Sequence, residues 1–326
     1  YCNQIIKRIK EINYDLIEIH NRPLVFEYLK KTINKKYILY FHNDPLSMKG
    51  SVSKNERLNL LNKVDKIIFV SKWVQKRYFM GLDQKLLNKT EVVYPSINKI
   101  KNFPKKKKWI TFVGKLNSSK GYDIYKGAIL KILDEFKDWT ALSIGDESRD
   151  RPHIKHKRHK EIGFKTHKSV LGILSNTQIA VVPSRWEEPF GRTALESGSR
   201  GCATIISNRG GLPETVSHCL KLDKLDYNNL YKKIKYLITN ETVREKIQKN
   251  SFKDVLHIVK DNSNLIDSIR ESLFFKINLN IKKNNLRIIN IYNSGQKLSH
   301  RLYNISLGKK FTNGFIRNGH DVLEIS

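Results

Sequence analysis

The chain has 326 residues, of which 39% are hydrophobic, and a formal net charge of +30. This length accommodates two domains of ordinary size, each with its own core, and the hydrophobic fraction fits a soluble protein. No apolar run approaches the roughly 18 residues that indicate a membrane span. The positive charge would attract nucleic acid or an anionic membrane face, but no nucleic-acid recognition module stands out, so no specific nucleic-acid partner is expected.

The cysteines and histidines indicate neither a disulfide framework nor a metal site. Cys2, Cys202 and Cys219 are odd in number and show no C-x-x-C spacing. Three histidines fall within residues 151–160, but five interleaved Lys and Arg residues would repel a cation. We therefore expect no metal and a reducing, cytoplasmic location, with peripheral contact at the inner face of a membrane as an option that the positive charge leaves open.

The first hundred residues alternate strand-like and helix-like segments. The strands are predicted at 15–20, 37–42, 66–70 and 91–94, and the helices from Pro23, over 56–64 and after Ser71. Repeated β-α-β units predict a parallel sheet. A basic, proline-containing segment over 99–108 then predicts an interdomain linker.

The alternation resumes after this segment and predicts a second Rossmann-like sheet. The predicted elements are strands at 109–113, 140–144, 160–164, 178–182 and 203–207, helices at 122–136, 168–175 and from Pro213, and amphipathic helix over 226–276. The tail repeats the pattern once more, with strands at 285–292 and 321–325 around a helix at 299–318.

Glu188 and Glu196 lie in the segment that follows the strand ending at Val182. A proline-bounded loop that runs into a helix is predicted by the segment Pro183-Ser-Arg-Trp-Glu-Glu-Pro-Phe-Gly-Arg-Thr-Ala-Leu-Glu196. Glu188 is expected at the N-terminus of this helix and Glu196 two turns further in. A helical segment would separate these acids by about 12 Å along the axis. Because glycosidase carboxylates lie roughly 5–9.5 Å apart, this spacing argues against a hydrolytic pair. It suits one acid on a sugar and one on a ribose, with a diphosphate between them at the helix N-terminus.

Three other strand ends carry residues suited to binding. Gly114 allows a tight turn, and Lys115 and Lys120 can converge on a diphosphate, although a solvated turn is the alternative. Gly210 and Gly211 are expected to leave backbone N–H groups free to bind the oxygens of a ligand. An ordinary strand-to-helix turn would have the same sequence pattern. His42 ends a strand at the edge where parallel sheets bind ligands, although such a histidine is often structural.

These motifs together resemble the donor-binding signatures of the retaining family 4 (group 1) glycosyltransferases of GT-B fold. The matching segments are P-S-R-W-E-E-P-F-G-R-T-A-L-E at 183–196, which contains Glu188 and Glu196, G-K-x-x-x-x-K-G at 114–121 and G-G-L-P-E at 210–214. The resemblance implies an α/β protein with two Rossmann-like parallel-sheet domains facing a cleft, the first one incomplete. It also implies a UDP- or GDP-linked sugar as substrate, with no cofactor and no metal.

The resemblance further implies roles for the residues in these motifs. His42 would orient the donor sugar or polarise the acceptor, Glu188 would hold the sugar hydroxyls, and Glu196 would hold the ribose. The remaining donor-binding residues would be Gly114, Lys115, Lys120, Phe190, Gly191, Gly210 and Gly211, of which the two lysines would stabilise the diphosphate.

The expected domains are a partial acceptor-side domain at 1–98, a linker at 99–108 and a donor-binding domain with closing helices at 109–280. Residues 285–326 resemble the start of a further, CgeB-like glycosyltransferase, through Asn313-Gly-Phe-Ile-Arg-Asn-Gly-His320. Because the chain begins at Tyr1 without the family's opening strands, we expect an N-terminally truncated enzyme. We favour a tail that belongs to a second enzyme over a tail that folds back to complete the first sheet.

The function that this resemblance implies is transfer of a sugar, with retention of configuration, to a glycan or lipid-linked hydroxyl. Bacterial surface polysaccharide or lipopolysaccharide synthesis is the commonest setting of such enzymes. Two alternatives remain open: a GT-B nucleotide-sugar epimerase, and a non-catalytic basic protein that binds polyanions or membranes.

Overall fold

The computed structural model describes residues 2–12, 14–147, 153–274, 286–292, 312–313, 315–316 and 320–325. The chain forms two compact units, one made of Tyr1–Tyr94 with Lys260–Ser326 and the other of Pro95–Val259. Each unit contains a six-stranded sheet in which the described pairings are parallel. The parallel α/β architecture expected from the sequence is therefore confirmed.

The first unit is built around a sheet whose middle strands are largely apolar and buried. Its strands are β1 (Leu16–His20), β2 (Lys36–Phe41), β3 (Lys66–Phe69), β4 (Thr90–Val92), β11 (Arg287–Ile291) and β12 (Asp321–Ile325), in the order β12-β11-β1-β2-β3-β4. Its helices are α1 (Cys2–Glu11), α2 (Pro23–Lys30), α3 (Lys54–Lys63), α4 (Lys72–Tyr78) and α10 (Val259–Ser272). α1 has no counterpart among the elements predicted from the sequence.

Local capping explains where several of these helices begin. Pro23 occupies the first turn of α2, where its missing N–H costs nothing. The Ser53 and Glu56 side chains form a reciprocal capping box at α3. The Ser71 hydroxyl accepts a hydrogen bond from the Val74 N–H at α4, so Ser71 caps that helix as expected.

The tail adds two strands to the first sheet. β11 lies parallel to β1, with Leu16 opposite Ile288, and β12 lies parallel to β11. Of the two arrangements considered from the sequence, the structure has the one in which the tail enters the first sheet, which differs from the one we favoured. The physical reason is that β11 satisfies backbone groups along an edge of β1 that would otherwise lack ladder partners. Most of the expected helix at 299–318 lies outside the described residues.

The second unit has the strand order β10-β9-β8-β5-β6-β7. Its strands are β5 (Lys107–Val113), β6 (Thr140–Ile144), β7 (His159–Gly163), β8 (Thr177–Val182), β9 (Ala203–Ser207) and β10 (Cys219–Leu222). Its helices are α5 (Tyr122–Glu135), α6 (His167–Asn176), α7 (Arg192–Ser199), α8 (Tyr227–Thr239) and α9 (Glu241–Lys253). Apolar residues of β5, such as Ile110 and Phe112, pack with α5 and α8 in one buried core cluster.

One predicted helix of this unit is wrong. The segment after Pro213 forms only a 3-10 turn, Leu212–Glu214, and is followed by the strand β10. Leu212 is fully buried, so the turn is held by packing and has no amphipathic face to extend. β10 is four residues long and only its last residue is buried, which explains why its sequence gives a weak strand signal.

Candidate active site

The candidate site lies in the second unit, at the carboxyl ends of β5 and β8. These strands are neighbours in the sheet, and the chain leaves β5 toward β6 on its other side, so their junction is the point where the strand order reverses. Ligands of open α/β sheets bind outside the strand ends at such a point. The two segments that follow these strands here are the lysine loop, residues 114–121, and the glutamate loop, residues 183–191.

The lysine loop is shaped by Asn117. Its side-chain oxygen accepts a hydrogen bond from the Lys120 backbone N–H at 3.2 Å, which caps the 3-10 turn Ser118–Lys120. Its amide nitrogen donates to Glu147 Oε2 at 2.7 Å, in the segment after β6. The turn is thereby fixed before α5 begins.

The two loops are in direct backbone contact. Gly121 has φ +73°, and a Cβ atom placed on it would lie 2.0 Å from the Pro183 carbonyl oxygen. Only glycine fits this position. The Ser119 carbonyl oxygen also accepts hydrogen bonds from the backbone N–H groups of Arg185 and Trp186, both at 3.0 Å.

Lys120 and Glu188 meet across the two loops. Lys120 Nζ lies 2.5 Å from Glu188 Oε1, which also accepts a hydrogen bond from the Ser184 hydroxyl at 2.9 Å. Ser184 is 1% exposed, and its carbonyl oxygen accepts from the Ser207 hydroxyl at 2.7 Å. Lys115, by contrast, is exposed and forms no ion pair with a residue that the structure describes.

The Gly210-Gly211 segment packs against the glutamate loop through its backbone. The Gly210 N–H donates to Glu187 Oε2 and the Gly211 N–H donates to the Glu188 carbonyl oxygen, both at 2.6 Å. The expectation that these N–H groups are free is therefore wrong, because the glutamate loop already uses both. The close backbone contact places Gly210 and Gly211 next to Glu188.

α7 begins at Arg192, after Gly191 in the left-handed region. Glu188 therefore lies four residues before the helix, and Glu196 is its fifth residue, about one turn in. The expected two turns, and the axial distance built on a continuous helix, do not hold. Phe190 is 3% exposed and packs edge-on against the His257 ring, with the ring centroids 5.4 Å apart.

Glu196 is a buried carboxylate held by two donors. Its Oε1 lies 2.9 Å from His167 Nε2 and 3.2 Å from Arg192 Nη2. Burial acts to raise the pKa of Glu196, but the His167 hydrogen bond and the Arg192 charge outweigh it and lower the pKa below its ordinary value. The group is therefore ionised at neutral pH. Nothing in the sequence pattern pointed to His167.

His42 lies in the first unit, at the end of β2, and is paired with a second histidine. Its Nε2 lies 2.7 Å from His20 Nδ1, and the two rings stack with centroids 5.0 Å apart. Burial lowers the pKa of His42 to about 4, and burial followed by the proximity of His42 lowers the pKa of His20. Both rings are thus neutral at physiological pH. His20 belongs to a predicted strand, and no motif in the sequence indicates a role for it.

The histidines within residues 151–160 do not converge. His159 Nε2 lies 2.8 Å from the Ser143 hydroxyl, and His156 Nε2 lies 3.4 Å from Asp134 Oδ1. Within the described ranges, no three His, Cys, Asp or Glu side chains are arranged to hold a metal ion. The described helices also include none that is both long and apolar enough for a membrane crossing.

Most of the second unit matches a known protein family. Residues 94–254 match the family model "Glycosyl transferases group 1". The chain is 24% identical over 293 residues to YtcC of Bacillus subtilis, which covers 78% of this chain and 71% of that protein. It is 22% identical over 298 residues to the 2-deoxystreptamine N-acetyl-D-glucosaminyltransferase of Niallia circulans, which covers 77% of this chain and 74% of that enzyme.

A solved structure shows the same fold. Alr3699/HepE of Anabaena, crystallised with UDP, superposes with a TM-score of 0.69 at 17% identity, over 83% of this chain and 82% of that chain. The same protein has also been solved with UDP-glucose. Residues 94–254 therefore form a group 1 glycosyl transferase domain, and the chain has the GT-B glycosyltransferase fold.

Proposed function

We propose that this glycosyltransferase moves a sugar from a nucleotide-sugar donor to a hydroxyl of a glycan or lipid-linked acceptor, with retention of configuration and without a metal. The observation that carries the proposal is the meeting of Lys120 and Glu188 at 2.5 Å, at the point where the strand order reverses. A cation suited to phosphate and a carboxylate suited to sugar hydroxyls are thereby adjacent, as transfer from a sugar diphosphate requires.

The charges of the site suit a departing diphosphate. Lys120 and Lys115, on the loop that opens at Gly114, would neutralise the negative charge that develops as the bond to the anomeric carbon breaks, which is the task of a metal ion in other enzymes. The acceptor hydroxyl would attack the anomeric carbon from the face that the diphosphate leaves, and its proton would pass to the departing diphosphate. No cofactor takes part in this scheme.

The carboxylates would divide the donor between them. Glu188 would accept hydrogen bonds from the sugar, and Glu196, deeper in the unit, from the ribose. The Gly191, Gly210 and Gly211 backbone would shape the wall beside the sugar, with Phe190 supporting it from the core. His42, which is neutral, would contribute a hydrogen bond to sugar or acceptor and no positive charge.

The donor is proposed to be linked to UDP or GDP, and UDP is supported by the structural similarity to a protein solved with UDP and UDP-glucose. The proposed setting is bacterial surface polysaccharide or lipopolysaccharide synthesis, in the cytoplasm at the inner face of the membrane, and the net charge of +30 supports the membrane contact. That charge would attract both an anionic membrane and an anionic lipid-linked acceptor.

Calorimetric titration of UDP, GDP and ADP, with EDTA present, tests the donor site. We expect one nucleotide to bind without metal and binding to be lost in Glu196→Ala. Glu245→Ala, which removes an exposed acid of α9, is the matched control and should bind as the unmodified chain does. Failure of a correctly folded chain to bind any of the three would contradict the proposal.

Product analysis distinguishes a glycosyltransferase from a nucleotide-sugar epimerase. Incubation of the matching nucleotide sugar without acceptor should leave the sugar's configuration unchanged. Appearance of an epimerised sugar would instead identify an epimerase that uses the same donor site.

A further inference from the structure

His167 stands beside the proposed ribose-binding carboxylate, on a different helix. We infer that His167 is a positioning residue for nucleotide recognition: with Arg192 it fixes Oε1 of Glu196, so that Oε2 is the oxygen that accepts from the ribose hydroxyls. This inference rests on the proposed function, because it specifies how the same donor site recognises the nucleotide.

The hydrogen bonds of Glu196 are divided unequally between its two oxygens. Oε1 accepts from His167 Nε2 at 2.9 Å and from Arg192 Nη2 at 3.2 Å. Oε2 accepts no hydrogen bond from any side chain in the part of the chain that the structure describes. A carboxylate can accept about four hydrogen bonds, so a buried one that uses a single oxygen retains capacity at the other.

The two donors act from different directions. Arg192 lies four residues before Glu196 on α7 and can follow the movements of its own helix. His167 is the first residue of α6, which begins there because the Thr166 hydroxyl accepts a hydrogen bond from the Ser169 N–H at 3.3 Å. The carboxylate is therefore fixed between two helices and cannot rotate without losing a bond to one of them.

The ionised carboxylate of Glu196 favours a ligand that offers two hydroxyl groups as hydrogen-bond donors. An ionised carboxylate only accepts, so His167 must carry a proton on Nε2, which either a neutral or a charged imidazole can do. The ligand must likewise supply its own hydrogens, and the 2′ and 3′ hydroxyls of a ribose do so. We therefore expect His167 to increase the affinity for ribonucleotides and to have no effect on the affinity for nucleotides that lack these hydroxyls.

The experiment is calorimetric titration of UDP and GDP, and of their 2′,3′-dideoxy forms, into the unmodified chain and three variants. His167→Ala should weaken the ribonucleotide by about 10-fold, the range of one hydrogen bond to a charged group, and leave the dideoxy form unchanged. His167→Gln, which can still donate one hydrogen bond, should recover part of the loss. Lys168→Ala, the next residue on the same helix, removes a charge without contacting Glu196 and should bind normally.

The outcomes separate this inference from the function on which it rests. Equal affinity of His167→Ala and the unmodified chain for the ribonucleotide, or an equal loss for both nucleotide forms, overturns the positioning role and leaves the donor site standing. If the unmodified, folded chain binds neither UDP nor GDP, the donor site and the role of His167 are overturned together. A thermal melt of each variant shows whether it is folded.

Discussion

Arg270 of α10 donates to Glu18 of β1 at 2.9 Å, although the two side chains are 1% and 0% exposed. Tyr40 also donates to Glu18, at 3.1 Å, and Asp267 accepts from Arg270 at 2.8 Å. This network ties α10 to β1, one of the two middle strands of the first sheet. A buried ion pair of this kind is costly to break, because removing one partner leaves an uncompensated charge in the core.

Arg270→Met should therefore destabilise the first unit by about 3–5 kcal/mol. The measurement is urea unfolding followed by circular dichroism. The double variant Glu18→Gln with Arg270→Met removes both charges and should recover part of the loss, as a double-mutant cycle would show. Equal stability of the single variant and the unmodified chain would show that the network contributes little.

Gly210→Ala should cost at least about 2 kcal/mol of stability and weaken nucleotide binding. Gly210 has φ +58°, and an added Cβ would lie 2.1 Å from the Glu188 carbonyl oxygen, so the glutamate loop would have to move. Gly172→Ala in α6 is the control, because its Cβ would meet nothing within 4 Å and the change should be neutral or stabilising by about 0.5–1 kcal/mol. Thermal unfolding and UDP titration of both variants provide the comparison.

The stability of the first unit should fall as the pH drops from about 6.5 toward 4. The pKa of His42 is about 4 in the folded chain, against an ordinary value of 6.5, because the ring is buried against His20 and Tyr40. In this window the unfolded chain binds the proton that the folded chain excludes, so stability is complete above the ordinary pKa and is lost below it. The loss is up to about 3 kcal/mol. Thermal melts across this range should show a shallower slope for His42→Gln, and an unchanged slope would refute the assignment.

Lys120→Ala should weaken UDP or GDP binding by about 10- to 100-fold, because it removes the cation that would contact the diphosphate. Lys137→Ala, an exposed lysine after α5, is the charge-matched control and should have no effect. The measurement is the dissociation constant at fixed ionic strength.

Glu188→Gln separates sugar recognition from nucleotide recognition. The free nucleotide should bind this variant about as well as the unmodified chain, while the rate of sugar transfer falls, since Glu188 is proposed to contact only the sugar. A loss of nucleotide affinity similar to that of Glu196→Ala would contradict this division.

Periodicity and capping predicted most of the elements. The alternating apolar segments placed nearly all strands, and Pro23 and Ser71 marked helix starts, because these signals act over a few residues. The Glu18–Arg270 pair and the His20–His42 pair escaped prediction, since their partners are brought together by the sheet and not by spacing in the chain. His167 has no motif of its own, and its role became visible only when α6 was placed beside α7.

The backbone contact between the lysine and glutamate loops decides how the site can respond to a ligand. The Ser119 carbonyl accepts hydrogen bonds from the N–H groups of Arg185 and Trp186, and Gly121 lies against Pro183, so the two loops are joined through their backbones. What can yield is the Lys120–Glu188 ion pair, whose partners are both side chains. If the donor binds as proposed, its entry would be a partner exchange, in which phosphate would replace Glu188 on the lysine and sugar hydroxyls would replace Lys120 on the glutamate. Because the two loops are already joined, the proposed exchange would not have to order either of them against the other.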